Sequence, residues 1–348
     1  MARSGRTSAA FAALGCLLAL ASPAAAQVDG ISASELAALK SEYKRPLARP
    51  VENPTLVKLG RLLFWDPRLS ASGKTACGSC HDPKLGWSTR EQFSRNDAGK
   101  LTPRKSQTTL GVGHMQAPVG WDGRAESLEA QAKNSIVTGA MSMRETATPV
   151  KVEEIEARIR DIPAYAKIFE AERPGVPLDI DDIVKAVAAY ERSIEPGIAP
   201  FDRWIEGEEQ AISDSAKRGF VLFNRDANCF ACHSGWRFTD DTFHDIGTTT
   251  TDRGRGREVK DDELMQFAFK TPTLRAVALH PPYMHNGSVR DLYFAVRHYE
   301  KGGIDRPSRS PLLQPIELTE EQRMDLIAFM LTLSSVPEDE PPALPAPR

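Results

Sequence analysis

The chain has 348 residues, a length that predicts about two domains. Its 44 basic and 47 acidic side chains give a net charge of −3, which argues against a nucleic-acid-binding protein because such proteins normally carry a basic excess. With 41% apolar and 26% charged residues, the composition is that of a folded globular protein. Five cysteines are too few for a disulfide scaffold, and four of them lie in two tight clusters.

Residues 1–26 have the pattern of a secretory signal peptide. Two arginines precede an apolar run from Ala9 to Leu20, and small residues follow up to Ala26. The apolar run is too short to span a membrane. We therefore expect cleavage after Ala26, export to the periplasm and no membrane span in the mature chain.

Helix start signals recur along the remaining chain, whereas the alternating pattern of strands does not. Ser32-x-x-Glu35 and Thr319-x-x-Gln322 have the form of capping boxes, and Asn53-Pro54 places a capping side chain before a proline at the first helical position. Apolar residues spaced three or four apart predict further helices over residues 152–159, 180–187 and 324–331. The fold class is therefore mostly α.

A short repeat divides the chain into two halves. Gly60-x-x-Leu63-Phe64 precedes the first cysteine cluster, and Gly219-x-x-Leu222-Phe223 precedes the second. This repeat predicts two small helical domains, each built around one cluster, at residues 27–200 and 201–336. The proline-rich residues 337–348 are expected to form a disordered tail.

Both clusters have the sequence Cys-x-x-Cys-His, the attachment motif of c-type haem. In such motifs the thiols bond to the haem vinyl groups and the imidazole binds the iron. A redox disulfide would not need the histidine twice, and a zinc site would normally gather four ligands in one cluster. We therefore expect two covalently attached haem c groups in two cytochrome c-like domains. Their attachment residues are Cys77, Cys80 and His81 in the first domain, and Cys229, Cys232 and His233 in the second.

Further stretches of the chain resemble the bacterial di-haem cytochrome c peroxidase and MauG superfamily. They occur in the family's order at residues 58–70, 121–125, 238–240, 270–275 and 282–287. The resemblance implies an exported enzyme in which hydrogen peroxide reacts at the first haem to form high-valent iron, while the second haem transfers electrons.

The same resemblance implies that Glu129 hangs over the open face of the first haem. A carboxylate there can move a proton from the inner to the outer oxygen of bound peroxide, so that water leaves. Judged from the residues alone, a solvated carboxylate on a helix is the favoured interpretation of Glu129.

Tyr299 matches the position of the second axial ligand of the second haem, with His298 and Met284 as alternatives. The MauG branch uses tyrosine here, a hard donor that stabilises oxidised iron. Many enzymes of the peroxidase branch close the first haem with a histidine from the following loop, but no histidine lies between Asp82 and Gly113. An open first haem is therefore expected, with His114 as a further candidate ligand.

The family also implies a Ca²⁺ ion between the domains, bound here by the backbone carbonyls of His280 and Pro282 and by Asn96. Two kinds of partner are consistent with the resemblance. The tyrosine ligand and the missing loop histidine favour a secreted protein whose aromatic side chains are oxidised, as in the MauG branch. A small redox protein, either cytochrome c or a cupredoxin, would instead make the enzyme a peroxide scavenger. A non-catalytic di-haem electron carrier is the alternative from another class.

Overall fold

A computed structural model describes Met1 and residues 30–51, 53–116, 118–144, 146, 148–335 and 339–347. Apart from Met1, the predicted signal peptide lies outside these ranges. None of the helices within them is both long and apolar enough to cross a membrane. The described residues are mostly helical, as predicted. The elements are α1 (Ala33–Glu42), α2 (Pro54–Phe64), α3 (Leu128–Val137), α4 (Val152–Arg160), α5 (Pro163–Glu172), α6 (Ile180–Ser193), α7 (Pro200–Ile205), α8 (Asp214–Asn224), β1 (Phe243–His244), β2 (Phe269–Lys270), α9 (Leu292–Glu300) and α10 (Glu320–Leu331).

The predicted helix starts are confirmed. Helices α1, α2 and α10 each begin directly after Ser32, Asn53 and Thr319, whose side chains accept a hydrogen bond from the backbone N–H three residues further on. The capping boxes at Ser32 and Thr319 are complete. Such caps satisfy backbone groups that a helix end leaves unpaired.

Each half of the molecule is organised by one pair of crossing helices. Helix α2 packs across α6 in the first half, and α8 packs across α10 in the second. A Cβ atom at Gly60 would lie 1.8 Å from the carbonyl oxygen of Ala186, and one at Gly219 would lie 2.0 Å from that of Asp325. The repeated glycine is therefore required because the two backbones meet there.

The first helix belongs to the second core. The ring of Tyr43, just after α1, stacks on Phe238 with centroids 4.9 Å apart, and its hydroxyl donates to Asn224 Oδ1 at 2.6 Å. The expected first domain of residues 27–200 is therefore corrected at its start. Residues 33–43 lie on the other domain because Tyr43 is buried there among aromatic rings.

The predicted disordered tail is also corrected, because residues 339–347, here called the C-terminal strap, lie against the first domain. The Asp339 carboxylate accepts hydrogen bonds from the Arg61 guanidinium and the Tyr190 hydroxyl, both at 2.6 Å. Arg68 Nη2 donates to the carbonyl oxygen of Pro345 at 3.0 Å. Proline has no backbone N–H group that needs a hydrogen-bond partner, and a proline-rich segment loses little conformational entropy when it becomes ordered. A few contacts are therefore enough to hold the strap in place.

Candidate functional site

The first Cys-x-x-Cys-His motif begins with a 3₁₀ turn over Cys77–Ser79. His81 Nδ1 donates to the carbonyl oxygen of Trp87 at 3.2 Å, the kind of hydrogen bond that orients a metal-binding imidazole. Burial lowers the pKa of His81, so the imidazole is in the neutral form that binds iron.

The second motif repeats this arrangement. His233 Nδ1 donates to the carbonyl oxygen of Phe238 at 2.8 Å, and burial lowers the pKa of His233. Trp87 and Phe238 both adopt positive φ, at 58° and 55°, an uncommon conformation for an aromatic residue.

In both halves, a threonine hydroxyl holds the loop whose carbonyl oxygen accepts the hydrogen bond from the histidine. Thr108 donates to the carbonyl oxygen of Gly86 at 2.6 Å, and Thr273 donates to that of Arg237 at 2.5 Å. Both carbonyls lie one residue before the aromatic acceptor. This second repeat was missed from the sequence, because the aromatic residue follows the histidine by six residues in one half and five in the other, and the threonine follows it by 27 and 40 residues.

An apolar cavity adjoins the second motif and includes Tyr299. Burial and the neighbouring thiols raise the pKa of the Tyr299 hydroxyl, so it stays neutral unless a cation binds it. His298 Nε2 instead donates to the carbonyl oxygen of Ile246 at 2.7 Å, which occupies that nitrogen. Met284, the other alternative ligand, also lines the cavity. The cavity brings together Cys229, Cys232, His233, Tyr299, Met284, Met330, Phe223, Val296 and Leu326.

Glu129 lies in the first turn of α3, where Arg192 of α6 holds it. Arg192 Nη2 contacts the two carboxylate oxygens at 2.7 and 2.8 Å. Burial alone would raise the pKa of Glu129, but the hydrogen bonds from Arg192 outweigh it and the pKa lies below its ordinary value. Glu129 is therefore an ionised base at neutral pH.

Glu191 connects this ion pair with the first motif. Its side chain is buried, and its Oε2 has no hydrogen-bond partner among the described residues. Burial, opposed by the positive charge of Arg192 and assisted by the Glu129 carboxylate, raises the pKa of Glu191 to about 8. Glu191 in turn raises the pKa of the Cys77 thiol, after burial itself. Sequence reasoning missed Glu191 and Arg192, since nothing in their local pattern distinguishes them from other charges on a helix.

His114 lies in a different environment from the one a ligand of the first haem requires. Its Nε2 is 2.7 Å from Glu195 Oε1, and its ring meets the edge of Trp236 with centroids 4.7 Å apart. The imidazole therefore has a carboxylate partner of its own.

The side-chain oxygen expected to bind calcium has another partner. Asn96 closes its own turn, with Oδ1 accepting from the backbone N–H of Lys100 at 2.9 Å. The two ring nitrogens of His280 are buried, and neither has a partner among the described residues. Burial together with Lys105 lowers the pKa of His280 to about 4. Pro282 follows a cis peptide bond and lines the same cavity as His280.

The residues around both motifs fit haem. The indole N–H groups of Trp65 and Trp87 are buried near the first motif without an acceptor in the described residues. The Trp65 ring also lies over Gly78, where a Cβ atom would be 2.2 Å away. A flat apolar group with carboxylate substituents would supply acceptors for such donors, since buried donors need partners. The apolar cavity beside Cys229 and Cys232 offers the matching space in the second domain.

Comparisons with known proteins agree with this geometry. The family model of the di-haem cytochrome c peroxidase matches residues 54–210, and the cytochrome c model matches residues 216–334. Methylamine utilization protein MauG of Methylorubrum extorquens is 42% identical over 325 residues, which cover 91% of this chain and 90% of that protein. This chain belongs to the di-haem cytochrome c peroxidase family. It is a MauG-like di-haem oxidoreductase of the peroxidase type, with two haem c groups.

Two further relatives describe the range of the family. A cytochrome-c peroxidase of Denitromonas iodatirespirans is 33% identical over 329 residues, covering 83% of this chain and 85% of the relative. The crystal structure of a MauG-like protein associated with microbial copper homeostasis superposes with a TM-score of 0.74 at 27% identity, covering 84% of this chain and 94% of that one.

Proposed function

We propose that this oxidoreductase is a periplasmic MauG-like enzyme that uses hydrogen peroxide to oxidise aromatic side chains of a secreted partner protein. The observation that carries the proposal is Tyr299, which lines the cavity of the second motif while the neighbouring His298 is engaged elsewhere. A buried tyrosine ligand favours the oxidised states of iron. Such a haem retains oxidising equivalents long enough to meet a slow protein substrate.

The haem groups would be held by both cysteine pairs, with His81 and His233 as proximal ligands and Tyr299 as the second ligand in the C-terminal half. When bound, the first haem supplies the iron at which peroxide reacts, and the second stores oxidising equivalents. The exported location rests on the signal peptide pattern of residues 1–26.

Glu129 performs the proton chemistry in this proposal. Its ionised carboxylate accepts a proton from the inner oxygen of hydrogen peroxide and returns it to the outer oxygen, which leaves as water. Arg192 is a positioning residue, because its two contacts orient the carboxylate and keep it ionised. The pairing of His114 with Glu195 supports an open distal side.

A second candidate function is a peroxidase that takes electrons from cytochrome c or a cupredoxin. The observation in its favour is the similarity, at 33% identity, to the cytochrome-c peroxidase of Denitromonas iodatirespirans. The two functions place opposite demands on the oxidised enzyme, since a scavenger must be reduced quickly and repeatedly.

One experiment separates these functions. The holoprotein receives one equivalent of hydrogen peroxide, and the decay of its oxidised spectrum is followed with and without reduced cytochrome c. A secreted protein encoded by a neighbouring gene is added in parallel and examined by mass spectrometry for added oxygen or lost hydrogen on Trp or Tyr. We expect slow decay with cytochrome c and modification of the partner. Rapid multiple turnover with cytochrome c and an unmodified partner would refute the MauG-like proposal and support the peroxidase.

A further inference from the structure

A buried lysine lies where the two domains meet. Lys105 is 4% exposed, and its ammonium donates to the backbone carbonyl oxygens of Thr89 and, at 3.3 Å, Glu91. Both carbonyls belong to the loop that follows the first haem motif. The ammonium is thus held by neutral oxygens of the first domain.

The backbone of Lys105 ties the same point to the second domain. Its N–H donates to the carbonyl oxygen of His285 at 2.8 Å. Its own carbonyl accepts from the Trp121 indole at 2.8 Å. Lys105 also lines the cavity that contains His280 and Pro282. One residue therefore joins the loop after the first motif to the loop that carries the expected calcium ligands.

This arrangement does not fit a calcium ion at the junction. Backbone carbonyl oxygens are ligands that Ca²⁺ prefers, but those of Thr89 and Glu91, which the first domain brings to the junction, accept from an ammonium group instead. The amide oxygen of Asn96 is committed to Lys100 within its own turn. A divalent cation near His280 would also be repelled by the buried positive charge, because low-dielectric surroundings strengthen charge repulsion.

We propose that the Lys105 ammonium is the built-in cation of the domain junction, and that this protein needs no calcium ion to hold its two haem domains together. The positive charge and its carbonyl partners are supplied by the chain itself. The proposal does not depend on which partner the enzyme oxidises.

The decisive experiment is metal analysis of the holoprotein before and after dialysis against EGTA. We expect two iron atoms per chain, calcium far below one per chain, and an electron paramagnetic resonance spectrum and unfolding temperature that neither EGTA nor added Ca²⁺ changes. About one calcium per chain, removed by EGTA with a change in the spectrum, would overturn the proposal even if the peroxide reaction is as proposed above.

A pair of variants tests the role of the ammonium itself. Lys105→Met leaves the carbonyls of Thr89 and Glu91 without their donor, so we expect a lower unfolding temperature and a shifted resonance spectrum. Lys100→Met, at an exposed position, is the matched control and should change neither. Unchanged values in Lys105→Met would count against the proposal. If Lys105→Met does not fold, the metal analysis of the unmodified holoprotein still decides.

Discussion

The two haem domains hold the histidines of their motifs in the same way and differ in the other residues near those motifs. Both have a glycine at the helix crossing, a histidine that donates to an aromatic residue of positive φ, and a threonine that fixes the loop. Beyond that shared frame, the first domain has the charged residues Glu129, Arg192 and Glu191. The second has an apolar cavity and Tyr299.

This difference indicates how one architecture serves two tasks. Breaking the oxygen–oxygen bond of peroxide requires a proton to move, a task that the proposed function gives to the ionised Glu129 of the first domain. Near the second motif the Asp240 carboxylate is instead paired with His244. Holding oxidising equivalents requires a hard ligand, the role that the proposed function gives to Tyr299 among its apolar neighbours. In that proposal the shared residues hold each cofactor, and the residues that differ near each motif determine what the cofactor does.

The largest expected effect follows from removing one attachment pair. Cys229→Ser combined with Cys232→Ser should leave one covalent haem on the chain instead of two, because each pair holds its own group. Cys77→Ser with Cys80→Ser is the matched variant and should remove the other. Mass spectrometry of the intact proteins measures this loss, and two haem additions in either variant would contradict the assignment.

The second-largest effect is expected from replacing Glu129, the proposed base of the first domain. Glu129→Gln should keep both haems but slow the reaction with hydrogen peroxide by about a hundred- to ten-thousand-fold, since the amide cannot relay the proton. Stopped-flow spectra after mixing with peroxide measure the rate. Glu126→Gln, an exposed neighbour, is the control and should react normally. Equal rates in the two variants would show that Glu129 takes no part in the reaction with peroxide.

Tyr299→Phe tests the second domain alone. We expect the resting ferric enzyme to show one high-spin and one low-spin haem, and the substitution to change only the low-spin signal, because the phenolic oxygen is lost from that iron. Electron paramagnetic resonance distinguishes the two. Tyr293→Phe, on the same helix, is the control. An unaltered low-spin signal in Tyr299→Phe would make Tyr299 a packing residue.

The buried carboxyl group predicts a pH dependence of folding. Because folding raises the pKa of Glu191 from 4.5 to about 8, its protonated form stabilises the fold at low pH, and this contribution is lost as the pH rises through that interval. The free energy of unfolding should fall by up to about 1.4 kcal/mol per pH unit there from this group. Glu191→Gln should flatten the profile measured by urea unfolding. Exposed Glu153→Gln should not, and equal slopes in both would refute the assignment.

The smallest effect concerns the strap. Asp339→Asn weakens a partly exposed contact with Arg61 and Tyr190, so we expect a loss of about 1 kcal/mol in the free energy of unfolding. Glu340→Gln, on the same strap with a side chain that is 79% exposed, should cost far less. Thermal unfolding of both proteins provides the comparison, and identical curves would show that the strap adds nothing to stability.

Signals confined to a few adjacent residues were predictable from the sequence. The haem motifs, the capping boxes and the glycine repeat act through local chemistry, so the mostly helical two-domain fold could be inferred. The contacts of Tyr43 with Phe238 and of Asp339 with Arg61 join distant parts of the chain, and no local pattern reports them. For the same reason, proline content alone gave the wrong expectation for the strap.

Contacts between side chains on different helices could not be predicted from the sequence either. Arg192 meets Glu129 only because α3 packs on α6, and the burial of Glu191 likewise depends on tertiary packing. The placement of Lys105 depends on two loops separated in sequence from each other. The family resemblance supplied Glu129 and Tyr299 as site residues, and their roles stay predictions until the variants above are measured.

Each end of the chain packs on the domain that is farther from it in sequence, and this affects how the protein assembles. Residues 33–43 complete the second domain and the strap completes the first, so each half is finished by a segment from the far end of the polypeptide. Tyr43 is buried in the second core, so that core needs a segment from the other end of the chain. A protease cut in the connection at residues 206–213 would leave each fragment with a segment that contacts the other half, and residues 201–336 produced alone would lack Tyr43.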